Sequence, residues 1–293
     1  MSKTSKTVYR RAWALYNEFL SCINNEESHA VVIPLTSQKV LEFISYLHLN
    51  RLASATITTY ITAISFVHKM ANQYDPTAVF CVQKILSAIN KIHGKQDSRL
   101  PITLILLSRL TLCLPNSVRT KYHRTLLQAM FTTAFFGLCR IGEITKQPDG
   151  VVSLEFNQIQ INSLFLTLSI THFKHNKAQR PILLKIFRQD DQSICPVFAM
   201  LNYMNVRPNV DGPLFCFPDG KAITRNFFTK NLKSCLTCCG MDTKQYSSHS
   251  FRIGGASYLA SLGLSDTQIK TMGRWDSYAF LRYIRNQRYI YNN

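Results

Sequence analysis

The spacing of the hydrophobic residues constrains this fold most, because it is helical along most of the sequence and becomes strand-like in one segment only. In residues 1–93, which contain no glycine, apolar side chains recur every three or four positions. That spacing is typical of amphipathic helices, and Thr36 or Ser37 and Ser54 are suitable caps for two of them. We predict a small helical bundle from four stretches, at 8–19, 40–47, 57–67 and 79–92.

The remainder of the chain mixes helical and strand patterns. The polar, basic segment 94–101 contains Gly94 and Pro101 and predicts a linker. Helical spacing continues to residue 114 and again at 122–145, whereas 150–187 is apolar and β-branched with turn residues between the runs. Three short antiparallel strands are predicted there, in VVSLEF, SLFLTLSITHF and RPILLKIF. Further helices are predicted at 195–204, 225–239, 251–262, 265–272 and 277–289.

These patterns predict a mainly α chain with a small antiparallel β-sheet, divided into two domains. The first is helical and covers 1–93, the second is mixed α+β and covers 102–293, and 94–101 links them. A chain of 293 residues is long enough to give each domain its own core.

The charge points to a polyanionic partner. The chain has 34 Lys and Arg residues against 16 acidic residues, a net charge of +18. Residues 1–100 carry 11 basic and 6 acidic side chains and residues 101–293 carry 23 and 10, so both parts are positive. Nucleic acid is the leading candidate. No apolar run is long enough for a membrane span, and no polybasic amphipathic helix indicates a membrane surface.

The nine cysteines indicate a reducing compartment. Their number is odd, and most lie singly in apolar stretches, while the N-terminal MSKTSKTVYRR is not typical of a secretory signal. Cys235 and Cys238 have the spacing of half a zinc site, but no second ligand pair follows. We predict an intracellular protein, nuclear if the organism is eukaryotic, without a bound metal.

Two segments place basic residues where they could meet a phosphate. Arg140 and Glu143 are three apart in FFGLCRIGEI, which predicts one helical face, and an arginine in so apolar a stretch needs a partner. A surface ion pair is the alternative. Lys174 and Lys177 lie in KHNKAQ, at the predicted tip of the second hairpin, where a lysine is more often a solubilising charge.

A third segment, HSFRIGG, places His249 and Arg252 one turn apart at a predicted helix start. The free N–H groups and dipole of a helix N-terminus attract phosphate, and Gly254 and Gly255 allow close backbone approach. A capped helix with a solvated histidine and arginine is the alternative.

The segment GRWDSYAFLRYIR could supply a nucleophile. Cleaving a phosphodiester needs an in-line nucleophile, positive donors to the non-bridging oxygens and a proton donor for the departing oxygen. Arginine suits the oxygens because its planar fork stays charged. Tyr283 could serve as the nucleophile, with Trp275 eight residues before it. A C-terminal helix with packing aromatic residues is the alternative.

Taken in order, these segments resemble those of the tyrosine recombinases, the phage integrase-like family, and are most similar to recombinases of Crypton and DIRS mobile elements. The resemblance covers most of the chain and implies a helical, SAM-like core-binding domain followed by a catalytic domain. The catalytic residues that it implies are Arg140 with a supporting Glu143, Lys174, His249, Arg252, Trp275 and the nucleophile Tyr283. We also predict DNA contacts at Lys177, Arg274 and Arg282.

The resemblance leaves the register of the nucleophile open. The interval between Trp275 and Tyr283 is one residue shorter than in many family members, so Tyr278, Tyr289 and Tyr291 are alternatives. Ten residues follow Tyr283, which predicts either a short C-terminal tail or a truncated chain.

The function implied is DNA strand cleavage and rejoining through a 3′-phosphotyrosyl link, in the integration or excision of a mobile element. The resemblance implies double-stranded DNA between two lobes, a tetramer for strand exchange, and no cofactor, metal or small-molecule substrate. A DNA-binding protein of the same fold that no longer cuts is the main alternative, although binding alone does not require the whole catalytic set. A type IB topoisomerase has similar chemistry, but its usual extra domains find no room in 293 residues.

Overall fold

The chain forms two compact units, Met1–Asp97 and Ser98–Asn293, and the boundary between them lies inside the segment 94–101. The computed structural model describes residues 3–24, 33–94, 97–147, 150–152, 154–171, 173, 176 and 180–284. Across these residues, no helix combines the length and the apolar character that crossing a membrane requires.

The first unit is a bundle of helices around an aromatic and aliphatic core. Its helices are α1 (Lys3–Asn24), α2 (Ser37–Leu49), α3 (Ser54–Met70) and α4 (Phe80–His93), with a short 3-10 helix at Pro76–Ala78. The four helical stretches predicted from the spacing are confirmed. The predicted stripes face inward, since Phe19, Phe43, Leu47, Ile57 and Val82 are all buried in one cluster.

One of the two predicted helix caps is confirmed and the other is wrong. The side chain of Thr36 accepts a hydrogen bond from the N–H of Lys39 at 3.2 Å, which satisfies one free donor at the start of α2. Ser54 is instead the first residue of α3, and its hydroxyl lies 3.5 Å from the carbonyl oxygen of His93. The residue at the cap position of α3 is Ala53, which makes no side-chain cap.

The second unit is mainly helical and contains the small sheet. Its helices are α5 (Leu104–Ser117), α6 (Lys121–Phe136), α7 (Ile141–Ile144), α8 (Pro196–Met204), α9 (Arg225–Cys238), α10 (His249–Ser261) and α11 (Asp266–Met272). Its strands are β1 (Ile159–Ile161), β2 (Phe165–Ile170) and β3 (Ile182–Phe187), and a 3-10 helix at Tyr278–Tyr283 closes the described part. The mainly α fold with a small antiparallel sheet is confirmed.

The three strands pair in the order β1–β2–β3, antiparallel throughout, with Ile159 opposite Leu168 and Phe165 opposite Phe187. The first strand was expected in VVSLEF and lies later in the chain. The backbone of this segment pairs with residues 212–214, since Phe156 donates to Gly212 at 2.8 Å and Leu214 donates to Leu154 at 3.0 Å, and a 3-10 helix follows before β1 begins. Alternate residues of β2 and β3 then enter the main core of the second unit.

The helix predicted at 122–145 is interrupted, and the interruption shapes the site below. Helix α6 ends at Phe136, and Leu138 has a φ of +47°. A Cβ atom at Gly137 would lie 2.7 Å from the carbonyl oxygen of Thr133 and 2.9 Å from the side chain of Ile186 in β3, so glycine suits this close approach. The chain therefore turns, and Arg140 comes to lie directly before the new helix α7. The helix predicted at 277–289 is likewise a 3-10 helix as far as Tyr283.

Candidate functional site

Arg140 and Glu143 are joined at the start of α7, not along the face of a longer helix. The backbone N–H of Arg140 donates to Oε2 of Glu143 at 3.0 Å, and its Nη1 donates to Oε1 of the same carboxylate at 3.0 Å. The side chain of Glu143 is 3% exposed and that of Arg140 is 23% exposed. The buried carboxylate therefore orients the arginine, whose side chain stays partly exposed.

A second arginine reaches Glu143 from near the end of the chain. Nη2 of Arg274 donates to Oε2 of Glu143 at 2.7 Å. Its Nη1 and Nη2 also donate to the carbonyl oxygens of Gly137, Leu138 and Met272. The structure contradicts the prediction that Arg274 contacts DNA, because its side chain is 0% exposed and its donors are directed at the protein interior.

Arg252 lies in the first turn of α10 and is 1% exposed. Its Nη1 donates to the carbonyl oxygen of Leu138 and its Nη2 to that of Gly273. The guanidinium carbon lies 4.0 Å from the ring centroid of Trp275, which is a cation–π contact. Arg252 therefore joins the turn after α6 to the segment that carries Trp275.

We call Arg140, Glu143, Arg252 and Arg274 the arginine cluster, which holds three guanidinium groups and one carboxylate. Burial would raise the pKa of Glu143, but the charges of Arg274 and Arg140 lower it below its usual value. Burial, Arg140 and Arg274 together lower the pKa of Arg252 to about 9. The carboxylate is therefore ionised at neutral pH, and the cluster keeps a surplus of positive charge that a bound anion would offset.

Tyr283 lies at the end of the 3-10 helix, beside two of its predicted partners. Its ring centroid is 4.8 Å from that of His249 and 5.7 Å from that of Trp275. The hydroxyl of Ser257 in α10 donates to the carbonyl oxygen of Tyr283 at 3.1 Å and holds this segment against the helix. The structure thus groups His249, Trp275 and Tyr283 and connects them, through the Trp275 ring, to Arg252.

The alternative tyrosine within the described residues has different surroundings. Tyr278 is 61% exposed, and the ammonium of Lys270 lies 4.8 Å from its ring centroid. Tyr289 and Tyr291 lie outside the described residues. Between the two tyrosines that can be compared, Tyr283 is the one whose ring contacts His249.

Other predicted residues are peripheral or fall outside the described chain. Lys174 and Lys177, in the connection between β2 and β3, lie outside the described residues. Arg282 is exposed beside Tyr283, and its contact with DNA stays a prediction. Within the part of the chain that the structure describes, no group of three or more His, Cys, Asp and Glu side chains is placed to hold a metal ion.

Two glycines let α10 pack closely enough to deliver its charged residues. A Cβ atom on Gly254 would collide with the carbonyl oxygen of Ile102, and one on Gly255 with the carbonyl oxygen of Phe135. The close backbone approach predicted at these positions is therefore present, and it is to the protein's own backbone. The start of α10 consequently lies beside the turn that follows α6.

The two turns that hold the arginines were not predicted from the sequence. Gly137, directly after an apolar helix, is the signal that could have located the first, because glycine commonly ends a helix. At the second turn, which precedes Trp275, a side chain on Gly273 would collide with the ring of Trp275. Nothing in the sequence identifies Glu143 as the partner of Arg274, since the two are 131 positions apart.

No protein-family model matches the chain, and no curated protein matches it. Among solved structures, it is similar to the XerH site-specific recombinase bound to palindromic difH substrate in a post-cleavage complex, with a TM-score of 0.70 and 15% identity over 95% of this chain and 75% of that chain. The chain is also similar to the Tn1549 transposon integrase in complex with circular intermediate DNA, with a TM-score of 0.59 and 12% identity over 93% of this chain and 94% of that chain. For a lambda integrase dimer bound to a COC′ core site, the TM-score is 0.56 and the identity is 10%, over 97% of this chain and 74% of that chain.

These comparisons concern the fold. At identities of 10 to 15% they show that the chain has the fold of the tyrosine recombinases, as the resemblance implied. They assign no role to any residue of this chain.

Proposed function

We propose that this chain cleaves and rejoins DNA strands through a covalent 3′-phosphotyrosyl intermediate on Tyr283. The proposal is carried by one observation: an aromatic contact between His249 and Tyr283 next to a buried cluster with surplus positive charge. Attraction to a polyanion alone requires neither a tyrosine held against a histidine nor buried arginines. The recombinase and integrases of the same fold, which are complexes with DNA, support the proposal.

In the proposed reaction, the hydroxyl of Tyr283 gives up its proton to water, its oxygen attacks the scissile phosphorus, and the bond from phosphorus to the 5′ oxygen breaks. Arg140, which is partly accessible, donates to the non-bridging oxygens. Arg252 contributes its charge from the protein interior, where screening by water is weak. Lys174 gives its proton to the departing oxygen, which leaves as a 5′-hydroxyl.

The second half of the reaction reverses the first. A 5′-hydroxyl of another strand attacks the phosphotyrosine, a new phosphodiester forms and the tyrosine is released. His249 and Trp275 add hydrogen bonds to the phosphate in both steps. Because the covalent link preserves the energy of the phosphodiester, the exchange needs no external energy source.

The partner that we propose is double-stranded DNA, contacted by both units, with Lys177 and Arg282 among the residues that touch it. The positive charge of both parts of the chain supports this. Strand exchange between two sites would require a tetramer. We propose a role in the integration or excision of a mobile element of the Crypton or DIRS kind, in the nucleus of a eukaryotic host.

A second candidate function is DNA binding without cleavage on the same fold. The surplus charge would serve it equally well, and it differs from the first proposal only in whether Tyr283 reacts.

Covalent trapping distinguishes the two functions. Purified protein is mixed with a pool of random-sequence duplexes, and detergent is then added. Each duplex carries a nick a few nucleotides to the 3′ side of the phosphate to be cleaved, so that the short fragment released by cleavage diffuses away. We expect the wild type and the control Tyr278→Phe to yield detergent-resistant protein–DNA adducts. We expect Tyr283→Phe to yield none and to bind DNA normally, because it loses one hydroxyl and no charge. Adducts that persist in Tyr283→Phe would exclude Tyr283, and binding by every form without adducts would favour the second function.

A further inference from the structure

We propose that Arg274 is a positioning residue of the cleavage site, which offsets the charge of Glu143 so that Glu143 orients Arg140 without neutralising it. This inference rests on the proposed function, and it assigns to Arg274 a role that does not involve contact with DNA. It follows from the connections of one carboxylate, from the balance of charge around it and from the backbone that Arg274 holds.

The carboxylate of Glu143 serves two arginines at once. Oε1 accepts from Nη1 of Arg140, while Oε2 accepts from the backbone N–H of Arg140 and from Nη2 of Arg274. Arg274 makes the shorter ion pair, 2.7 Å against 3.0 Å, and its side chain is 0% exposed against 23% for Arg140. The pairing with Arg274 is therefore the less screened by water of the two.

Removing Arg274 changes the net charge of the group formed by Glu143 and its arginine partners. With Arg274 present, Glu143 and its two arginine partners sum to a single positive charge. Without it, the carboxylate and Arg140 cancel, and the partly exposed arginine is left in a neutral pair. A phosphate approaching Arg140 would then meet a buried carboxylate whose repulsion is offset only by Arg140 and Arg252, in a region where such repulsion is weakly screened.

Arg274 also ties together the backbone that supports the other arginines. Its side chain donates to the carbonyl oxygens of Gly137 and Leu138, and Leu138 also accepts from Arg252. Its own carbonyl oxygen accepts from Nη2 of Arg140 at 3.1 Å. With a φ of +54°, Arg274 adopts the left-handed conformation that few residues other than glycine favour. The surrounding bonds hold it there, which fixes the turn before Trp275.

A buried ion pair that merely stabilises the fold is the competing explanation. The two explanations differ in what a second substitution does. If Arg274 acts by offsetting a charge, removing the negative charge of Glu143 compensates for its loss. If it only holds the fold together, a second substitution in the same pair adds to the damage or leaves it unchanged.

The experiment compares wild type, Arg274→Met, Glu143→Gln and the double variant Glu143→Gln/Arg274→Met in the rate of adduct formation on nicked DNA. We expect Arg274→Met to slow the reaction about 100-fold, the scale of one lost electrostatic donor. We expect the double variant to recover about tenfold of that loss, because no unpaired buried charge remains. On nicked DNA whose scissile phosphate is replaced by an uncharged methylphosphonate, the defect of Arg274→Met should shrink, which a purely structural defect would not do.

Arg274→Lys is the control for misfolding. It retains the positive charge but lacks the planar guanidinium, and it should keep more activity than Arg274→Met. A double variant as slow as Arg274→Met, with an equal defect on methylphosphonate, would overturn the proposal.

If the wild type forms no adduct, the proposed cleavage is contradicted, and the binding of inorganic phosphate tests the role of Arg274 instead. We then expect phosphate to raise the melting temperature of the wild type and the double variant, but not that of Arg274→Met. Equal phosphate effects in all three, or none in the wild type, would overturn it.

Discussion

The helical bundle of the first unit and the arginine cluster of the second are specified in different ways. In the bundle, each helix begins and ends near the residues that its own sequence indicates, and apolar side chains fill the core. In the cluster, three buried or half-buried guanidinium groups are held by one carboxylate and by carbonyl oxygens at two turns. Local pattern determines the first region, and contacts between distant parts of the chain determine the second.

The comparison can be tested because each unit contains one of the two tryptophans. Trp13 lies in α1 of the first unit, and Trp275 lies beside the arginine cluster. In a Trp275→Phe background, fluorescence during urea unfolding follows the first unit, and in a Trp13→Phe background it follows the second.

The largest effect on stability is expected in the arginine cluster. Glu143→Ala leaves the fully buried Arg274 without its carboxylate, and we expect a loss of about 3–5 kcal/mol in the unfolding free energy of the second unit. Urea unfolding in the Trp13→Phe background measures it, and Glu143→Gln, which keeps the volume, should lose less. A change below about 1 kcal/mol would mean that the cluster is no more sensitive than an exposed ion pair.

A smaller effect is expected from a carboxylate in the first unit, and it depends on pH. Burial would raise the pKa of Asp75, but hydrogen bonds from Ser65 and Thr77 lower it from 3.8 to about 2. A group whose pKa is lower in the folded state stabilises the protein above its unfolded pKa, and this stabilisation is lost as the pH falls toward the folded value. Asp75→Asn should therefore flatten the decline in stability between pH 3.8 and about 2.

That decline is measured in the Trp275→Phe background, with wild-type Asp75 as the reference. Equal slopes with and without Asp75 would show that its hydrogen bonds do not favour the ionised form.

The smallest effect separates a confirmed helix cap from a mistaken one. Thr36→Ala removes the hydrogen bond to the N–H of Lys39, and we expect a loss of about 1 kcal/mol from the first unit. Ser54→Ala removes no cap and should cost less. Urea unfolding in the Trp275→Phe background compares the two, and a greater loss for Ser54→Ala would contradict the assignment of the caps.

The predictions from sequence succeeded where local chemistry decides the structure. The helical stripes of α1–α4, the cap at Thr36 and the helix start at His249 all follow from residues within a few positions of one another. The three strands were expected, and the first was misplaced because the backbone of residues 154–156 pairs with the distant residues 212–214 and not with β2.

The predictions from sequence failed where contacts between distant parts of the chain decide the structure. Arg140 and Glu143 were expected on one face of a helix, but α6 ends at Phe136, before Gly137, and Arg140 lies at the start of α7. Arg274 was expected at the DNA surface, whereas the bond to Glu143 buries it. The position of Tyr283 beside His249 also depends on α10, and the sequence could propose it only by resemblance.

The central claim is that Tyr283 becomes covalently attached to DNA. The most direct measurement is to isolate the trapped adduct, digest the protein and the DNA, and locate the nucleotide-modified peptide by mass spectrometry. The account predicts a modified peptide that contains Tyr283, with a phosphate joined to the 3′ end of the DNA remnant. A modification at Tyr278, Tyr289 or Tyr291, or recovery of DNA bound tightly but never covalently, would contradict it.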